Sequence, residues 1–209
     1  MDFARPFRPT QSLHALRDGA AGDKQHLLAG TARLIKDGTG TLVLGMSNSY
    51  SGFTCIKQGL LQLAAAEGIG NGSTVTNDAT YDLNGFSDTI GGLYGAGLVT
   101  NSSATATVLG ISGWGDFSGQ LVDGQGTLAV VKGAGALRLS GNNTYSGGTT
   151  LGAGGSGLTR MVQLGADNVL GTGPVTWNGP CTLTPDSAAP PEVEPSSESS
   201  TPVKALAVP

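Results

Sequence analysis

Histidine, proline and charge are scarce in the middle of this 209-residue chain. Between Asp37 and Asn178 there is no histidine, and only four basic and eight acidic residues occur there. Proline is absent from Thr10 to Gly173. Over the whole chain 12% of residues are charged and 5% aromatic, and there are two cysteines. Each scarcity excludes a kind of chemistry. Without histidine, neither a Ser-His-Asp nor a Cys-His arrangement can be assembled inside that block. No His-x-x-x-His or Cys-x-x-Cys occurs anywhere, which argues against a zinc site. No Gly-x-x-x-x-Gly-Lys is present to cradle a phosphate. A net charge of −4 gives no basic footprint for nucleic acid. No apolar run approaches the ~18 residues of a membrane-spanning helix.

What fills the block is glycine with small polar residues. It holds 31 of the 35 glycines and 38 Ser, Thr and Asn residues. Average glycine usage is about 7%, and the absence of an every-third-residue period excludes collagen. Short apolar-polar alternations such as Thr41–Leu44, Leu60–Leu63, Thr80–Leu83, Gln120–Val122 and Ala136–Leu139 are separated by Asn84-Gly85, Asp123-Gly124 and similar pairs. That punctuation predicts an all-β fold. The stretch Leu60 to Glu67 has some helical character, but its glycine flanks favour a strand.

The flanks differ. Residues 1–32 carry four of the eleven basic residues and both histidines. They are read as a leader or cap with little structure, Leu13 to Leu28 being weighed as a short helix. Asp2 and the broken apolar pattern do not fit a secretory leader. Residues 179–209 are rich in Pro, Ser and Glu and are expected to form a flexible tail.

An internal repeat organises the middle. Gly38 to Thr54 aligns without a gap on Gly133 to Thr149, 95 residues later, with nine of 17 positions identical. The shared pattern is Gly-x-Gly-x-Leu-x-Leu, then Asn (Asn48, Asn143), then Tyr-Ser-Gly and Thr. Leu-x-Leu puts two leucines on one face of a strand, leaving Val43 and Arg138 outward. Asn supports the following turn through side-chain-to-backbone hydrogen bonds. One such unit cannot bury its leucine face alone, so units must stack.

These residues resemble the passenger-associated β-strand repeat of bacterial autotransporters. Tyr81 to Asn101 and Val162 to Thr176 are similar to segments that accompany such repeats. The resemblance covers roughly residues 33–178 and implies a right-handed parallel β-helix of about six coils, displayed or secreted by a Gram-negative bacterium. It implies a non-enzymatic stalk or adhesin piece whose partners are a host surface, matrix or glycan. It also implies that any membrane contact runs through a translocator barrel, which this chain lacks. A passenger separated from its translocator is therefore expected. The alternatives are a β-helical enzyme acting on polysaccharide, or a gene remnant without function.

Asp78, Asp82, Asp88, Asp116 and Asp123 could include a glycosidase pair, but turn positions explain them better. Lys57, Lys132, Arg138 and Arg160 are the only cations available to such an enzyme. Tyr50, Tyr145, Trp114, Phe117 and Trp177 could stack on sugars, but the repeat phase of Tyr50 and Tyr145 favours packing. Gly152 to Gly157 matches Gly-x-Gly-x-x-Gly, without the following helix that a dinucleotide needs. Cys55 and Cys181 are expected to be unpaired thiols. No catalytic, cofactor-binding or metal-binding residue is assigned, and no cofactor is expected.

Overall fold

The computed structural model describes residues 13–16, 22–24, 28–152 and 160–186. Among them there is no helix, and every strand pairing is parallel. The chain winds as a β-solenoid of about seven turns, one more than the coils expected from the resemblance. A first sheet of nine strands runs from Leu13–Leu16 to Thr182–Pro185. A second holds six strands, from Gly22–Lys24 to Gln120–Leu121, and a third holds five, from Asp88–Ile90 to Val175–Trp177. At ~4.8 Å per step, nine stacked strands span about 38 Å.

The alternation read from sequence is what makes the core. In the second sheet Leu42, Leu61, Tyr81, Val99 and Leu121 are in register and all buried. In the third, Leu109 and Val130 form one inward column, and Ile90, Ile111 and Leu151 another. Outward neighbours are small and polar, so adjacent coils approach closely. Parallel pairing reaches beyond residues 33–178 at both ends. Leu13–Leu16 pairs with Leu34–Lys36, and Gly22–Lys24 with Thr41–Leu44. These are strands where a helix over Leu13 to Leu28 had been weighed, because the edge of the sheet offers them a ladder to join. Thr182–Pro185 pairs with Met161–Leu164. Ala29–Gly30 pairs with Ser49–Tyr50, and residues 1–12, 17–21, 25–27 and 187–209 lie outside the described residues.

The two repeat copies do not stack on one another. The first copy's Leu-x-Leu strand, Thr41–Leu44, lies in the second sheet. The second copy's, Gly135–Leu139, lies in the first. The repeat thus encodes a corner rather than a face, and the copies sit a third of a turn apart around the axis.

Their local geometry is nonetheless the same. Asn48 Oδ1 accepts from Leu28 N–H at 2.8 Å, and its Nδ2 donates to the Gly68 carbonyl at 2.6 Å. Asn143 Oδ1 accepts from Leu121 N–H at 2.7 Å, and its Nδ2 donates to the Val169 carbonyl at 2.7 Å. Each amide therefore ties together three successive coils. Tyr50 and Tyr145, both buried, each hydrogen-bond a threonine four residues on, Thr54 and Thr149, at 2.6 Å. The glycine after Tyr-Ser has a steric reason: a Cβ would sit 2.0 Å from the Ala32 carbonyl oxygen at Gly52 and 2.5 Å from that of Leu128 at Gly147.

If the asparagine is the tie, Asn143→Ala strips two buried partners at once and should cost roughly 1–3 kcal/mol. The adjacent exposed Asn142→Ala should change stability by less than about 0.5 kcal/mol. Urea unfolding of the two variants beside the wild type measures both values.

Candidate binding surface of the solenoid

Two lysines occupy inward positions. Lys132 falls in the column of Ile111 and Leu151 and is fully buried. Its ammonium donates to the carbonyls of Gly113, 2.8 Å away, Gly133 and Ala134. Burial pulls its pKa down to about 8. Lys36 repeats the device, donating to the carbonyls of Gly38 at 2.6 Å, Gln58 at 3.0 Å and Asp37 at 3.3 Å. Both lysines stand just before the Gly-x-Gly of a repeat, where the turn aims several carbonyls at one point. A cation with three donors suits that corner. They are corner ties, and neither reaches an outer surface.

The five aspartates are placed alike. Asp78 accepts from Ala96 N–H at 3.2 Å. Asp82 accepts from Ser102 N–H and hydroxyl at 2.9 and 2.6 Å and from Gln62 at 2.8 Å. Asp123 accepts from the Ser146 hydroxyl at 2.6 Å and from Leu128 N–H at 2.8 Å. Partial burial pushes the Asp123 carboxyl up, but these donors outweigh it and hold it below the usual range. Asp116 pairs with Arg138 at 3.3 Å. Asp88 is buried, accepting from Tyr81 hydroxyl, from Ile69 N–H at 3.2 Å and from Thr89 N–H at 3.0 Å. Each of the five thus bonds a group on a neighbouring coil; Asp78 and Asp123 lie between strands and Asp82 ends one, whereas Asp88 and Asp116 sit on strands where turn positions had been expected.

Asp88 is electrostatically unusual. Burial drives its pKa up to about 7, the charge of Glu67 adds to this, and the hydrogen bonds from Tyr81, Ile69 and Thr89 oppose it. Ile69 belongs to the irregular corner between Leu60–Leu63 and Thr74–Asn77, so Asp88 anchors a segment that has no strand of its own.

The aromatics divide. Tyr50, Tyr145 and Phe117 are buried and pack, while Trp114 is 61% and Trp177 51% exposed. Trp177 ends the outermost described strand of the third sheet, and Trp114 stands at the start of a first-sheet strand. A shallow groove of about 340 Å³ opens on the third sheet, where Gly110 stands between Thr89 and Val131, with Ser87, Val108 and Ser112 at its rim. Its rim hydroxyls are already engaged: Ser87 accepts from Val108 N–H, and Ser112 donates to the Ile90 carbonyl. Cys55 and Cys181 are free thiols at the third and ninth strands of the first sheet. Most of the Gly152 to Gly157 motif lies outside the described residues. Among the described residues no three His, Cys, Asp or Glu side chains converge as metal ligands.

The corner geometry acquires a family when compared with known proteins. The profile of the passenger-associated-transport-repeat matches residues 34–63 and 130–155. Each match takes in a corner lysine, the Gly-x-Gly turn, the Leu-x-Leu strand, the asparagine tie and the Tyr–Thr pair. Residues 34–63 and 130–155 are thus two copies of that repeat. A similar protein is the adhesin BmaC autotransporter of Brucella suis biovar 1 (strain 1330), 36% identical over 135 residues. The alignment covers 61% of this chain and 4% of that protein, so the passenger segment described here spans a small part of its relative's length. No solved structure matches the chain.

The raised Asp88 pKa makes passenger stability depend on pH. The folded state holds a proton that the unfolded chain releases near 3.8, so the stabilisation is complete below that pH. It is lost as pH rises to about 7, by up to about 4 kcal/mol. Asp88→Asn should flatten this decline. Urea midpoints at pH 4 and pH 7.5 for both proteins measure it.

Proposed function

We propose that the chain is a non-enzymatic segment of an autotransporter passenger, displayed at the cell surface as an adhesive stalk. The observation that carries this reading is the use of the five aspartates. A hydrolase acting on polysaccharide needs two carboxylates free to approach the scissile bond. Here each of the five is a tie between coils, with backbone N–H groups, hydroxyls or a guanidinium already bound to it. Of the cations named for such an enzyme, Lys132 is buried on carbonyls, and Arg138 is paired with Asp116 and Asp186. A rigid rod with polar outer ladders suits presentation of contacts away from a membrane. That the similar Brucella protein is an adhesin supports the same reading.

Anchoring the chain on the surface of a non-adherent bacterium tests this. Attachment to cultured cells or immobilised matrix should rise several-fold over the bare anchor, and purified chain should release no reducing sugar from polygalacturonate or related glycans. Unchanged attachment, or measurable product, would contradict the reading.

A further inference from the structure

The outer face of the first sheet differs from the Thr and Ser ladders around it. Reading along the solenoid, one outward column runs through Cys55, Thr76, Tyr94, Asp116, Arg138 and Gln163. Trp114 precedes Gly115, the partner of Leu93, and so stands beside Gly92 on the next strand. Gly92 is the seat of this arrangement. Tyr94 folds back over it, with Cε2 3.5 Å from where a Cβ on residue 92 would lie, and that Cβ would be 2.3 Å from the Trp114 carbonyl oxygen. Tyr94 therefore lies low on the sheet next to a Trp114 that projects into solvent. On one side Asp116 and Arg138 are paired at 3.3 Å, and Arg138 is held in place by Asp186, which also accepts from Gln163 at 3.2 Å. On the other side, three strand steps or about 14 Å from Trp114, Phe53 is 41% exposed with Arg33 stacked 5.1 Å from its ring centre.

We propose that this strip binds an extended neutral polysaccharide, Tyr94 and Trp114 stacking on sugar rings while Asp116, Arg138 and Gln163 hydrogen-bond their hydroxyls. The proposal rests on the reading of the chain as a displayed passenger and names the ligand class its surface fits. A pyranose ring has an apolar C–H face and a rim of hydroxyls. A rigid aromatic plane receives the first, and fixed carboxylate, guanidinium and amide groups receive the second. A protein partner would want a contiguous apolar core, whereas Thr74, Thr76 and Gly92 interrupt these aromatics. An anionic polymer would want unpaired positive charge. The arginines of the strip are instead stacked or paired, and the chain is net −4. Strands locked in register hold the aromatics at fixed spacing along the axis, which suits a ligand that itself repeats.

The test titrates the purified full chain with cellohexaose, laminarihexaose and mannohexaose, using heparin as the anionic comparison, by calorimetry and tryptophan fluorescence. At least one neutral hexamer should bind. Trp114→Ala, at an exposed site that leaves the core intact, should weaken binding roughly three- to tenfold, whereas Trp177→Ala should leave it unchanged. Binding of heparin alone, no binding of any hexamer at millimolar concentration, or full affinity in Trp114→Ala would overturn the proposal. Cell attachment of the displayed chain separates the two readings. If attachment persists without hexamer binding, only the saccharide assignment falls; if both are missing, the adhesive reading falls with it.

Discussion

The backbone ladder between successive coils is the interaction on which the rest depends. A single coil of about three short strands leaves its N–H and C=O groups pointing along the axis, and only the coil above and the coil below can satisfy them. Everything else in the sequence keeps that ladder in register. The inward leucines, valines and isoleucines set which face points in, because a one-residue slip would turn each of them outward. Small residues at the corners let backbones approach to distances that a side chain would forbid, as at Gly52 and Gly147.

Polar groups in the interior serve the same end. Asn48 and Asn143 bridge three coils each, and Lys36 and Lys132 gather carbonyls that a tight turn leaves facing inward. A buried polar group without a partner is costly, so these residues specify the coil spacing as well as support it. Asp88 is the exception in kind: it anchors an irregular corner at the expense of a raised pKa, making that corner responsive to pH.

Much of this was legible in the residues alone. The strands Thr41–Leu44 and Leu60–Leu63 were readable from their alternation, and the asparagine and leucine roles from the repeat. Strands such as Gly92–Gly95 and Gly115–Phe117 were not, because they are short, glycine-bearing and held by neighbours rather than by propensity. Turn use of Asp78, Asp82 and Asp123 was foreseeable; that they tie separate coils needed the register. Two features were hidden. Lys132 counted among the cations available to an enzyme, since nothing local marks an inward lysine. The repeat suggested vertical stacking of its copies, and only the sheet assignment shows them a third of a turn apart. The aromatic set was divided by burial: Tyr50 and Tyr145 pack as their repeat phase implied, and Trp114 stands clear.

For the proposed function, the consequence is a rod whose buried polar side chains Asn48, Asn143, Lys36 and Lys132 tie its coils together and whose outer surface remains available. The most direct test of the stacked register uses the two native thiols. Cys55 and Cys181 lie on or beside strands six steps apart in the first sheet, which places them about 30 Å apart. Spin labels on both cysteines, measured by pulsed dipolar spectroscopy, should give one narrow distance distribution centred within several ångströms of that value. A broad distribution, or a centre below about 15 Å, would contradict the solenoid.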